Sequence, residues 1–474
     1  MATTKIIFGE WLPDQPGVTG AITDAKNCYA VTNGYAPIKS EADYSDDAGT
    51  DLVITFAGKF GGASTLFSAS TTQIYKFDSN NASLDPLTTA GYSAVEGWDV
   101  TQFGSSIIMA NGSNKLQSWT LNSSTYVTDL AAAAPTASYV TVVRDFVVAA
   151  NDGNDTNKVF WSDINDETNW TPSSTTQADS QFIPDGGDIT GLAGGEYGLV
   201  FLERAIYRMS YVGSPLFFQF DAISRSLGCI SNGSISQYGE LTYFLADDGF
   251  YVCNGQSAKS IGTEKVNRWF FDNAIPSEIR TKMSSTIDPI NKLVIWKFNN
   301  TFGGKYMLMY SIDLGKWTYA DTTAESISYV LTPSATLEQV DNYNSSIDAL
   351  DIPLDSRVFA GGQLLFAGVT GQKIISFSGQ PKTAVIASGD IDVGQSVVTL
   401  AKPVVDGGSA SVAVASRSLL NEQVEYGTDI PADSENRVSL RSNGKFHRIR
   451  VTPTGSNWKT VVGVNVDIQG QGTR

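Results

Sequence analysis

A chain with 49 carboxylates, three cysteines and one histidine has few routes to chemistry. Any Ser-His-Asp or Cys-His catalyst must use His447, and no Gly-x-Ser-x-Gly elbow occurs to partner it. His447 falls in Phe446-His-Arg-Ile-Arg-Val451, where strand alternation sets His447 with Ile449 and Val451, and Arg448 and Arg450 with Phe446. A packed or hydrogen-bonded imidazole is the expectation there. A multi-histidine zinc site is impossible. Cys28, Cys229 and Cys253 are odd in number and fit no metal-ligand spacing, which reads as free thiols.

Asp152-Gly-Asn-Asp-Thr-Asn157 offers oxygen ligands at alternating positions, the kind of loop that can hold calcium, but it lacks the twelfth-position Glu of an EF-hand. Such Asn/Asp/Gly-rich loops are also ordinary hairpin turns. Gly186-Gly187 and Gly194-Gly195 do not belong to a Gly-x-x-x-x-Gly-Lys-Ser/Thr phosphate loop. Paired carboxylates could serve glycoside hydrolysis. A sialidase-type propeller, however, repeats Ser-x-Asp-x-Gly-x-x-Trp turns, and Ser162-Asp-Ile-Asn-Asp-Glu-Thr-Asn-Trp170 occurs once, without the Gly and with different spacing. No catalytic, metal or cofactor-binding residue is assigned on these grounds, and the expectation is a protein that is not an enzyme.

The elements around these residues read as strands. The chain is rich in Gly, Ser, Thr and Asn, with 19 Tyr, 23 Phe and 9 Trp and only 17% charged residues, a mix that favours short strands and tight turns. The best helical candidate, Pro276-Ser-Glu-Ile-Arg-Thr-Lys-Met283, is short. The clearest stretch is two successive hairpins, Tyr197–Leu202 with Ile206–Tyr211 and Leu241–Ala246 with Phe250–Cys253, the second turning at Asp247-Asp248-Gly249. Gly249 is expected to hold positive φ.

Similar units centre on Leu66-Phe67 with Ile74–Phe77, Ile107–Met109 with Leu116–Trp119, and Phe146–Val148 with Val159–Trp161. Two more pair Leu293–Trp296 with Tyr306–Tyr310 and Leu364–Phe366 with Ile374–Phe377. Their spacing of roughly 40–50 residues, with one longer insertion, is the period of a four-stranded propeller blade. Each hairpin is expected to form the inner or outer half of a blade, completed by weaker strands such as Ser138–Val143, Gly187–Leu192 and Asn232–Tyr238. A large β-sandwich or solenoid is the competing architecture. The expected fold is all-β: a six- or seven-bladed β-propeller over 41–378, an irregular N-terminal arm over 1–40, and a small antiparallel, sandwich-like β domain over 379–474. In that last domain Val462, Val464, Val466 and Ile468 are expected on one face, with Val461, Asn465 and Asp467 opposite.

One stretch carries a resemblance. Val159-Phe-Trp-Ser-Asp-Ile-Asn-Asp-Glu-Thr-Asn-Trp170, followed by Ala178–Gly187 and Ile189-Thr-Gly-Leu192, resembles the packaged-DNA stabilisation proteins of short-tailed bacteriophages, also called tail hub or nozzle proteins. Arg441–Val451 and Trp458–Gln469 look like the closing domain of phage tail components, and Asn27–Pro37 is similar to their N-terminal arm. The resemblance implies a propeller-containing protomer of a homohexameric ring below the portal and adaptor, in the virion tail, in contact with head-to-tail adaptor and tail fibre or spike proteins. It implies a ring that retains packaged DNA and passes it on ejection. It supplies no gating residue.

The charge pattern agrees with such a role. The formal charge is −17 without any cluster of Lys and Arg, so the chain is not expected to grip nucleic acid. Six copies would carry 6 × −17 = −102. A negative lumen repels phosphate and lets DNA slide without adhering. The segment from Met1 to Trp11 has no apolar core long enough for a signal peptide, and no run approaches a membrane span, so a protein made in the cytoplasm, without membrane insertion, is expected. The alternative is a receptor- or glycan-binding propeller of a phage fibre or surface adhesin, with Trp161, Trp170, Trp269 and Trp296 as a sugar platform. Core packing is the commoner use of such tryptophans.

Overall fold

The computed structural model describes residues 2–15, 20–93, 97–333 and 361–471, together with 346 and 353. Most of the longer insertion before Leu364 lies outside them. All seven hairpins are present, but none is the inner or outer half of a blade. Each is the middle pair of a four-stranded unit. The physical reason is burial. A middle strand is covered on both faces by neighbouring blades and on both edges by its own sheet, so it reads as a continuous apolar run. Ser106–Ala110 and Gly198–Leu202 are buried at every position. The strand before the first of these, Asp99–Phe103, is only half-buried, and the outermost strand of the next blade, Asp179–Phe182, is mostly exposed.

Six self-contained four-stranded sheets stand in a ring as the blades of a β-propeller. They cover residues 52–86, 99–129, 139–182, 189–224 and 236–260, and a last sheet of Ser326–Leu331, Leu364–Thr370 and Lys373–Ser376 that Ala42–Asp43 completes as its fourth strand. Four further strands, Ser284–Asp288, Leu293–Asn299, Lys305–Ser311 and Trp317–Thr322, stand between the fifth and sixth of these and belong to a 14-stranded sheet. Both blade counts left open by the sequence therefore have a meaning. Six blades are closed units, and a seventh place in the ring is shared.

Polar contacts join the inner strands all the way round. Gln102 Nε2 donates to Lys59 O at 2.8 Å, Val140 N to Asp99 Oδ2 at 2.9 Å, and Gly195 N to Val142 O at 2.9 Å. Gln237 Nε2 donates to Gly194 O at 2.8 Å, Ser236 Oγ to Ser285 Oγ at 2.8 Å, Ile327 N to Ser284 Oγ at 3.1 Å, and Ser328 Oγ to Thr55 O at 2.9 Å. The last of these closes the circle.

The N-terminal residues are not irregular. Ala2–Ile7 pairs antiparallel with Thr460–Gly470, and Ile22–Lys26 joins Trp317–Thr322 on one edge and Val385–Ser388 on the other. The C-terminal strands Ile391–Asp406, Ser409–Arg417, Val438–Thr454 and Thr460–Gly470 form an antiparallel sheet. Its path returns through Gly34–Pro37 and Cys28–Val31 to the chain that began it. One core runs through it and the adjoining blades, from Val398, Val412, Ile449 and Val464 to Trp11, Trp296 and Trp317.

Two local readings need correction. Val461 is fully buried while Val462 is half-buried, the reverse of strict alternation. The pairing register with Ile391–Asp406 shifts at Val404/Val405, and this bulge moves Val461 to the core side. The helical candidate near 276–283 is a 3₁₀ turn, Pro276–Glu278, running into the single turn Ile279–Lys282. A longer helix, Asn267–Asn273, precedes it and buries Phe270 against Phe250 and Phe298.

Candidate functional site

The stretch that carries the phage resemblance is a clamp between blades. Val159 and Trp161 end the third strand of the third blade, and the loop 162–178 leads to the fourth. Ser162 is buried, and its Oγ accepts Val147 N at 3.1 Å. Asp163 Oδ1 accepts the amides of Ile164 and Gln177 at 2.9 and 2.8 Å, and Asp166 Oδ1 accepts Thr168 N at 3.0 Å. These side-chain caps fold the turn from within. Trp170 donates to Glu167 O at 2.7 Å and packs with Ile108, Leu116 and Val147, while Ser106 Oγ donates to Glu167 at 2.8 Å. The acidic turn thus fastens the third blade to the second.

Gly194 serves the next junction, between the third and fourth blades. A Cβ there would lie 2.1 Å from Val142 O, so only glycine lets these two blades approach. The Asp152 loop is a hairpin turn in which Asp152 Oδ1 accepts Asn154 N and Asp155 N, both at 3.1 Å. Among the described residues, no group of three His, Cys, Asp or Glu side chains is placed to hold a metal ion.

Of the sugar-platform tryptophans, three are interior and Trp269 is half-buried against the core. Trp161, Trp170 and Trp296 are buried, and Trp269 meets Trp11 edge-on at 5.0 Å and stacks on Tyr306 at 6.1 Å. The three cysteines are free and buried. Burial pushes the Cys229 thiol up to about 11 and raises Cys28 well above its ordinary value. His447 is fully buried between Ser396 and Ser416.

One contact across the ring is announced by no motif. Asp99 opens the inner strand of the second blade, and Asn232 lies in the turn Asn232–Ser234 leading into the fifth. These blades are three places apart in the ring, yet the Asn232 side chain lies close enough to the Asp99 carboxyl to favour its ionised form. Burial pushes the Asp99 carboxyl up to about 6, against the hydrogen bonds from Val140, Asn232 and Val100.

A second polar centre ties three parts of the chain together. Lys382 Nζ lies 2.8 Å from Glu41 Oε2 and donates to Asp321 O at 2.6 Å, and Thr322 Oγ1 donates to Glu41 at 2.6 Å. Burial opposes ionisation of Glu41, but Lys382 and Thr322 outweigh it and hold the carboxyl below its ordinary value. Removing one partner of such a pair strands a buried charge, at about 3–5 kcal/mol. Further ion pairs are Lys26–Asp321, Lys265–Glu10, Arg448–Asp390 and Arg450–Asp429.

A cleft of about 480 Å³ lies beside the first blade, with Ser64, Thr65, Lys76, Asp78, Asn80 and Asp85 in its wall. Asp78 Oδ1 accepts Asn80 N at 2.9 Å and Asp85 Oδ1 accepts Ser83 Oγ at 2.9 Å. Among the described residues, no helix is long and apolar enough to cross a membrane. No protein-family model matches the chain, and a search of curated proteins gives no match.

Proposed function

We propose that this protein is a non-enzymatic structural component of a short-tailed phage tail, a hub or nozzle subunit that self-associates into a hexameric ring. In this reading the ring sits below the portal and adaptor, contacts fibre or spike proteins, retains packaged DNA and passes it on ejection. The observation that carries the proposal is a −17 formal charge without a basic cluster, carried on a β-propeller. Such a surface repels phosphate. The resemblance of Val159–Trp170 to tail hub proteins names the assembly. Its counterpart here is a blade clamp, which suits a rigid wall.

A receptor- or glycan-binding propeller shares the fold, but its tryptophan platform would have to come from residues other than those packed inside. The test is assembly and DNA binding together. A six-membered ring by light scattering and negative-stain imaging, with duplex DNA bound more weakly than roughly 10⁻⁴ M at physiological salt, supports the conduit. Filled heads that leak DNA without the protein support it further. A monomer or trimer with glycan-array hits, or tight salt-sensitive DNA binding, overturns it.

A further inference from the structure

His447 is the only histidine of the chain and joins three strands of the C-terminal sheet. Its Nδ1 lies 2.6 Å from Ser416 Oγ and its Nε2 lies 2.9 Å from Ser396 Oγ. The flanking bonds fix directions. Ser442 Oγ donates to Ser416 Oγ at 2.6 Å, which leaves the Ser416 proton for Nδ1. Ser396 Oγ donates to Gly394 O at 2.9 Å, so it receives a proton from Nε2. The chain runs Ser442 to Ser416 to His447 to Ser396 to the Gly394 carbonyl, and it is complete only for a neutral ring protonated at Nε2.

The chain's far end is a break in the sheet. The pairing of Ile391–Asp406 with Val438–Thr454 shifts between Asp392 and Ser396, with Gly394 at φ +69°. Ser396 is where the strand re-enters the ladder, fully buried against the imidazole. A second ring proton on Nδ1 would face the Ser416 oxygen that already accepts Ser442, and would force the Ser416 proton off the ring; the backbone of Gly444 alone pulls the other way. The charged groups nearby are Asp390, Asp392, Arg417 and Arg448, each next in sequence to a residue paired with or flanking His447, and Lys445, two residues before it and exposed. Asp390 is bonded to both Arg417 and Arg448, and Lys445 lies 4.0 Å from Asp392. No carboxylate is left to favour an imidazolium.

We propose that His447 is a proton-operated latch: neutral, it pins the bulge at 392–396 to Ser409–Arg417 and Val438–Thr454, and protonated, it releases that end of the sheet. Burial lowers the affinity of the ring for a proton, against the pull of the Gly444 carbonyl. The folded value thus lies below the unfolded one. The latch is fully engaged above about pH 6.5 and is lost as pH falls through the folded value.

One histidine gives one imidazole signal, so nuclear magnetic resonance of the intact protein reads the latch directly. The Nε2–H tautomer at pH 7.5 and titration below 6.5 are expected. Hydrogen exchange of 391–398 and 442–447, corrected for intrinsic rates, should accelerate as the ring protonates, by roughly tenfold for each unit its value lies below 6.5. His447→Gln, which cannot take the proton, should remove that acceleration. An Nδ1–H tautomer, titration at or above 6.5, or acceleration unchanged in His447→Gln would overturn the latch. If the variant does not fold, the wild-type tautomer and titration decide alone.

Discussion

Replacing Lys297 by methionine should make the protein more stable, which is unusual for a change to a fully buried residue. Lys297 lies in Leu293–Asn299, a middle strand, with no exposed surface, and its Nζ donates to Lys282 O at 3.2 Å. Its cross-strand partner is Met307, and Ile295 lies two residues before it on the same face. Burial lowers its value from 10.5 to about 8, and Glu325 only partly offsets this. The drop of about 2.5 units corresponds to about 3 kcal/mol of differential interaction. The unfolded chain holds this proton more tightly than the fold does. The penalty is therefore complete below pH 8, shrinks as pH rises and is gone above about 10.5.

Methionine keeps much of the side-chain volume, removes the charge and forfeits one hydrogen bond worth about 1 kcal/mol. Lys297→Met should thus gain about 2 kcal/mol at pH 7. Urea unfolding at pH 7 and 9.5 provides the assay. The charge penalty falls to roughly half of its pH 7 size at pH 9.5, so the advantage should shrink to near zero there. A variant less stable than wild type at pH 7, or a difference that does not change with pH, would refute the reasoning and mean that Nζ is held better than its one carbonyl implies.

Asp99→Asn keeps an acceptor for Val140 N and removes a carboxyl whose folded value is raised to about 6. It should stabilise by at most about 3 kcal/mol at pH 8 and by nothing below about pH 4, as read by unfolding at both pH values. Gly249→Val should lower stability by roughly 1–3 kcal/mol, because φ is +143° and a Cβ would lie 1.8 Å from Asn267 Nδ2. An unchanged melting temperature would count against the turn geometry. Cys28, Cys229 and Cys253 should resist alkylation in the native protein and label fully on unfolding, read by mass spectrometry.

The hairpins were legible because a middle strand signals its burial locally. Phe146–Val148, Leu199–Leu202 and Leu293–Trp296 are apolar without a break, and Asp247-Asp248 before Gly249 is a turn that only a few residue types make. Their spacing gave the blade period. The inner and outer strands were faint for the same reason in reverse. Asp99–Phe103 and Asp179–Phe182 are half-wet or exposed, and their place depends on the neighbour each meets. Their alternation was too weak to say which half of a blade the hairpin occupied.

Tertiary structure alone decided where the ring and the chain close. Ala42–Asp43 completes a blade whose other strands begin at Ser326, and Ala2–Ile7 pairs with Thr460–Gly470. Nothing local in Ala-Thr-Thr-Lys-Ile-Ile marks it as an edge of a sheet formed more than 450 residues later. The approach of Asn232 to Asp99 and the Glu41–Lys382 pair depend equally on that closure. The sequence by itself determined an all-β chain of repeated hairpins with a buried lone histidine and no basic cluster, because periodicity, turn chemistry and charge act over a few residues. Which strand meets which across the ring, and which polar groups are shut in where they meet, is set by long-range pairing whose partners share no local signal.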